Sequence, residues 1–119
     1  MQRFTLIILF LISGVLHART IRIAAIYPVS QPANYDRYGL EAWCVTKAVL
    51  EDARKSGLDI SVEPFNINYE DPINTGVVAR HIVKENYDVA IGTLISTQAL
   101  AAAPIFEGAG TPFIQGHFQ

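Results

Sequence analysis

Ser96 and Thr97 set two adjacent hydroxyls directly after Asp88-Val-Ala-Ile-Gly-Thr-Leu-Ile95, ahead of an alanine-rich stretch that ends at Gly110. The first run reads as a short buried strand and tight loop, the alanine-rich stretch as a helix, and Thr111-Pro-Phe-Ile114 as the next strand. Such a junction holds both hydroxyls, with the first unpaired N–H groups of a helix, at the carboxyl end of a parallel strand. Open α/β sheets bind small ligands there, and a helix N-terminus favours an anionic group such as a carboxylate. The residues on offer are ligand-holding groups and not an acid–base pair. The pattern points to binding without catalysis.

No other set of residues competes with it. Tyr27-Pro-Val-Ser-Gln-Pro32 carries no glycine before Gly39, so a dinucleotide fingerprint is absent, and so is a Walker-type loop. His17, His81 and His117 lie far apart without metal-ligand spacing to a partner, so no metal and no cofactor is expected. Ser96 lacks the Gly-x-Ser-x-Gly setting of a nucleophile elbow, and its structural role is expected to be a helix cap shared with Thr97. Of the paired carboxylates Glu70 and Asp71, Asp71 reads as the cap of a second helix with Pro72 in its first turn. Cys44 is the sole cysteine, so it forms no internal disulfide, and no sequence neighbour activates its thiol.

The elements that position Ser96 and Thr97 follow from the apolar periodicity. Ile21–Tyr27 is a β-branched, apolar run suited to a strand buried on both faces, and Pro28 ends it. From Arg37 to Ser56 the residues Ala42, Val45, Thr46, Val49, Leu50 and Ala53 recur at helical spacing, with Trp43 at the edge of that arc as a core residue. Asp59–Tyr69 alternates with a one-step shift at Pro64, which predicts an edge strand bulged or bent at that proline. A second helix buries Thr75, Val78, Ala79, Ile82 and Val83. A strand over Asp88–Thr93 follows, then a third helix from about Thr97 to Gly108 and a fourth strand at Phe113-Ile114. Pro104 is expected to kink the third helix or to leave the Leu100 carbonyl without its partner. The order βαβαβαβ predicts an α/β, doubly wound parallel sheet, most simply in order 2-1-3-4. In that order the loop after the first strand (Ser30, Gln31, Tyr38) and the loop after the third (Ser96, Thr97) lie side by side at the switch point.

Composition bounds the rest. The 119 residues carry a net charge of −2, with no basic run to track a phosphate backbone, so nucleic acid is not an expected partner. Half of the residues are hydrophobic, but part of that share lies in residues 1–18. There Arg3 precedes an apolar run of about a dozen residues that ends in Leu16-His17-Ala18, the layout of a secretory signal peptide and short for a membrane span. Residues 19–119 are then the exported domain, in the periplasm or outside the cell, of about 100 residues.

Over Ile21 to about Ile114 the chain resembles the first lobe of the leucine/isoleucine/valine-type periplasmic binding proteins, type I bilobed receptors that feed ABC importers. The resemblance runs through Ile21-Arg-Ile, Pro28-Val-Ser-Gln-Pro32, Tyr38-Gly39, Glu70-Asp71-Pro72, Val89-Ala-Ile-Gly92, the Ser96 loop, Ala101-Ala-Ala-Pro104, Phe106-Glu107 and Gly110-Thr-Pro-Phe-Ile114. It implies a small polar, amino-acid-like ligand and a membrane permease of an ABC transporter as partners. It also implies that Ser96, with Thr97 beside it, and Tyr38 line the pocket, with Ser30 in the same loop cluster. After the fourth strand the family usually has a Ser/Pro-Ala-Thr type sequence. Here Gln115-Gly-His-Phe-Gln119 stands in its place, with His117 as the candidate ligand contact. Glu70 and Ile95 occupy the positions of a disulfide found in some relatives. The second lobe and the hinge crossovers are absent, so the expectation is an incomplete first lobe that binds weakly by itself. Two other classes remain open on the sequence: the ligand-binding ectodomain of a membrane signalling receptor of the same fold, and a secreted α/β enzyme with further residues elsewhere.

Overall fold

The computed structural model describes residues 19–29, 36–67 and 71–115. The expected leader, Ser30 and His117 lie outside the described residues. Strands β1 (Ile21–Tyr27), β2 (Ile60–Asn66), β3 (Val89–Gly92) and β4 (Phe113–Gln115) alternate with helices α1 (Asp36–Lys55), α2 (Pro72–Lys84) and α3 (Ser96–Ala109). All strand pairs are parallel and the order is β2-β1-β3-β4, the doubly wound arrangement that the alternation implies. Right-handed crossovers then put α1, which leads leftward to β2, on one face, and α2 and α3, which lead rightward, on the other.

Side-chain parity agrees. Ala24 and Ile26 of β1 and Ala90 of β3 join Ile67, Ala79, Ile82, Tyr87, Ala102 and Phe106 in one buried cluster on the α2/α3 side. Phe65 packs there edge-on against Tyr87 at 5.5 Å, and Phe113 lies 5.0 Å from Phe106. The alanines in both strands leave room for the two helices to approach the sheet. On the opposite face the Tyr27 hydroxyl meets Thr46 Oγ1 of α1 at 3.0 Å.

Two expectations about the sheet and α1 are corrected. β2 carries no bulge at Pro64: the register runs unbroken from Ile21↔Ile60 to Tyr27↔Asn66, with Pro64 opposite Ala25. The reason is parity. The Ile67 N–H donates to the Tyr27 carbonyl, so the odd-numbered residues bond β1 and the missing N–H of Pro64 falls on the open edge, where it costs nothing. The apolar arc of α1 is also only half used. Ala42, Thr46, Leu50 and Ala53 are partly buried, but Val45 and Val49 are 62% and 61% exposed. Trp43 is half-buried at the margin, with the Lys47 ammonium 5.8 Å from its ring centre. One helix lying over β1 and β2 covers less than the arc that the sequence offers.

The other helices follow their end signals. Asp71 caps α2 by accepting from the Asn74 N–H at 3.0 Å, with Pro72 first in the helix. α3 runs through Pro104 to Ala109 and ends on Gly110, whose left-handed φ of 72° turns the chain so that the next N–H, that of Thr111, reaches the Phe106 carbonyl at 2.9 Å. At the amino ends of the strands, the Arg22 guanidinium stacks over Tyr87 at 4.3 Å and the Tyr87 hydroxyl donates to Glu63. Asp88 accepts from the Arg22 N–H at 2.8 Å and pairs with Arg19.

Candidate functional site

The carboxyl ends of β1 and β3 are drawn together by two glycines. A Cβ on Gly92 would lie 2.2 Å from the Ile26 carbonyl oxygen, and Gly92 has φ of 124°, so only glycine fits. A Cβ on Gly39 would lie 1.8 Å from the Pro28 carbonyl oxygen. Gly39 therefore lets the first turn of α1 press onto the chain leaving β1, and Gly92 lets β3 press onto β1 itself. Tyr38 precedes the first contact and Ser96 follows the second by four residues.

Tyr38 is half-exposed in the first turn of α1. Ser96 and Thr97 are the first two residues of α3 and both are exposed. Tyr38 and the Ser96-Thr97 pair thus stand at the ends of neighbouring strands, while their helices diverge to opposite faces of the sheet. The crevice between such strands is where α/β sheets of this type hold ligands. Ser30 and His117, the other two sequence candidates, lie outside the described residues.

The expected hydroxyl cap on α3 is corrected. The N-cap is Ile95, in extended conformation with φ −130° and ψ 134°, and it makes no side-chain cap hydrogen bond. Ser96 enters the helix one position too late to fold back onto its own first N–H groups. Ser96 and Thr97 are exposed in the first turn, where a helix start has unpaired N–H groups of anion-attracting character.

Thr93, which the sequence reading did not single out, is the most constrained residue of the rim. It is fully buried, it adopts φ of 47°, and its Oγ1 has no hydrogen-bond partner among the described residues. A β-branched residue in the left-handed region is an outlier that local preference does not produce. Its N–H donates to the Ile26 carbonyl at 2.9 Å, a tertiary contact that holds it there. The signal available in sequence was Gly92 itself, a glycine closing a strand, which marks a close backbone approach.

Among the described residues no group of three histidine, cysteine or acidic side chains could hold a metal, and no helix is long and apolar enough to cross a membrane. A hollow of about 370 Å³ bordered by Val83, Asn86, Tyr87, Asp88, Ala109, Gly110 and Thr111 lies at the other end of the sheet, beside the amino ends of β3 and β4. Its walls are helix C-termini and loop tips, which offer carbonyls where the crevice offers N–H and hydroxyl donors.

No protein-family model matches the chain, and no curated protein matches it. Solved structures do, and they bear out the resemblance to branched-chain amino acid binding proteins. LivJ of Streptococcus pneumoniae, the substrate-binding protein of a branched-chain amino acid transporter, in complex with isoleucine, superposes with TM-score 0.74 at 19% identity over 85% of this chain. An ABC-type branched-chain amino acid transporter protein of Rhodopseudomonas palustris matches with TM-score 0.69 at 27% identity over 80% of this chain. An R. palustris ABC transporter solute-binding protein in complex with 4-hydroxybenzoate matches with TM-score 0.72 at 22% identity over 82%. The chain spans only 30%, 26% and 27% of the length of these three proteins. The fold is that of a type I solute-binding lobe.

Proposed function

We propose that this chain is the beginning of the first lobe of an exported solute-binding protein, serving an ABC transport system without catalysis. Its ligand is a small polar compound with a carboxylate, held at the crevice between the ends of β1 and β3. One observation carries the reading: two exposed hydroxyl residues open α3, whose N-cap Ile95 makes no side-chain cap, next to the strand end that carries Tyr38. An uncapped helix start presents N–H donors to an anion, and the hydroxyls supply neutral donors and acceptors for the rest of a polar solute. The structural likeness to transporter binding proteins, including one with isoleucine and one with 4-hydroxybenzoate, supports a carboxylate ligand of either class. Membrane permease, leader cleavage and residence outside the cytosol are parts of the same proposal.

A crevice walled on one side buries little of a ligand, so affinity by this chain alone is expected to be weak. Amide-resolved NMR suits that regime. Titration with isoleucine, leucine, 4-hydroxybenzoate and benzoate to millimolar concentration is expected to give saturable shifts at Thr93 to Ala99 and at Gly39 for at least one of them. The Ser96→Ala, Thr97→Ala double variant is expected to lose the shifts. Silence at the rim with shifts around Asn86 and Thr111 would move the site to the hollow at the other end of the sheet and end the proposal.

A further inference from the structure

β3 ends on a residue that cannot stiffen the chain after it. Position 92 has to be glycine, because a Cβ would stand 2.2 Å from the Ile26 carbonyl oxygen at a φ of 124°. Glycine passes between positive and negative φ with little resistance, so a swivel lies directly ahead of Leu94, Ile95 and the Ser96-Thr97 pair. Ser96 is at most about 13 Å from it along the chain, and a turn of roughly 20° there moves Ser96 by up to about 4 Å. A hydrogen bond to a solute does not survive such a shift. Thr93 follows the swivel, and local preference does not put it there. It is β-branched, it stands at φ of 47°, and it is fully buried, yet its Oγ1 has no partner among the described residues. No hydrogen bond of the hydroxyl explains the choice. A β-branched side chain does supply stiffness, through few χ1 rotamers and a left-handed well far narrower than that of glycine. The Thr93 N–H is fixed on the Ile26 carbonyl at 2.9 Å and the side chain is enclosed, so neither φ nor χ1 turns without disturbing the packing.

We propose that Thr93 is a positioning residue of the solute crevice: its enclosed side chain locks the swivel at Gly92 and so holds Leu94 to Thr97 in one place beside the strand end that carries Tyr38. The strain accompanies that lock, as backbone outliers do where a site has to be held in one geometry. The remainder of α3 has its own hold on the sheet, since Ala99, Ala102 and Phe106 are buried. The segment at stake is therefore the linker and the first turn of α3, where the exposed Ser96 and Thr97 stand. The inference rests on the reading of the crevice as the solute site. It adds that stability and binding respond to Thr93 with opposite signs, because the side chain that strains the backbone is the one that fixes the rim.

Two variants of the whole 119-residue chain test it, each with two NMR readouts. In Thr93→Gly the heteronuclear NOE of the Leu94 to Thr97 amides is expected to drop toward loop values, while that of Ala99 to Phe106 stays. Its affinity for isoleucine or 4-hydroxybenzoate, followed at the rim amides, is expected to weaken about five-fold, since the competent orientation becomes a minor fraction. Thr93→Val keeps the shape and removes only the unpartnered hydroxyl, so its NOE is expected to match the parent and its affinity to stay within about two-fold. An unchanged NOE in Thr93→Gly overturns the proposal whether or not any solute binds. Full affinity in Thr93→Gly with a lowered NOE overturns it too, and so does equal loosening in Thr93→Val, which gives the hold to the hydroxyl. A Thr93→Gly chain that circular dichroism shows to be unfolded overturns it as well, because the side chain then holds the core and not the rim. If the parent shifts with neither solute while the NOE drops in Thr93→Gly alone, the lock on the loop stands and the solute reading fails by itself.

Discussion

The Thr93 N–H donates to the Ile26 carbonyl at 2.9 Å, across the one boundary of the sheet where crossovers lead in opposite directions. The neighbouring Gly92 has its α-carbon so close to that carbonyl that a Cβ would stand 2.2 Å away. The rim of the crevice is therefore built by backbone contact, with little help from side chains. Gly92→Ala is expected to destabilise by roughly 3 kcal/mol, since clash and positive φ act together. Gly57→Ala meets no atom within 4 Å and has only φ of 89° against it. It is expected to cost about 1 kcal/mol. Urea denaturation of both variants measures the difference.

Thr93 stores strain at the same place. Thr93→Gly removes the penalty on a β-branched side chain at φ of 47°, together with a buried hydroxyl that has no partner among the described residues. The unfolded chain gains freedom in return, so the net stabilisation is expected to be near 1 kcal/mol. A rise in Tm establishes it. A fall would mean that the Thr93 side chain is held by something stronger than the strain it bears.

The two helix starts differ in a way that mutation can read. Asp71 caps α2 through the Asn74 N–H, so Asp71→Ala is expected to cost about 1 kcal/mol. Ser96 caps nothing in α3, so Ser96→Ala is expected to stay within about 0.5 kcal/mol of the parent. Ile95→Ser places a hydroxyl at the true N-cap and is expected to stabilise α3 by about 0.5 kcal/mol. Equilibrium unfolding of the three variants, compared with the parent, decides whether the Ser96 hydroxyl is spare.

Tyr87 makes stability sensitive to alkali. Burial, and then the hydrogen bond to Glu63, raise its pKa above the usual 10. A group whose folded pKa exceeds its unfolded value contributes fully below the unfolded pKa and loses that contribution as pH climbs through the folded one. Stability is thus expected to hold from neutral pH to about 9 and to decline above 10. Tyr87→Phe is expected to cost about 1 kcal/mol at neutral pH and to flatten the alkaline decline. Denaturation midpoints at a series of pH values test both.

The sheet was readable in the sequence because β1, with its apolar and β-branched run, and the alternation of three helical periods with three further strands leave few topologies. The N-cap of α2 was readable too, since Asp71-Pro72 is a local signal. The start of α3 was not. A serine beside a threonine reads as a cap on composition, but which residue leaves the helix is set by the extended conformation of Ile95, one position earlier. The left-handed Thr93 and the contact of Gly39 with Pro28 escaped because each records how the backbone of one element meets that of another. Val45 and Val49 were expected to be buried because periodicity reports which side of a helix is apolar and not what lies against it.

With Gly39 wedged on Pro28 and Gly92 on Ile26, both lips of the crevice are bolted to a single central strand. In the proposed site, closure around a solute would then be a rigid-body swing of this block relative to its surroundings, with Tyr38 and Ser96 travelling as one.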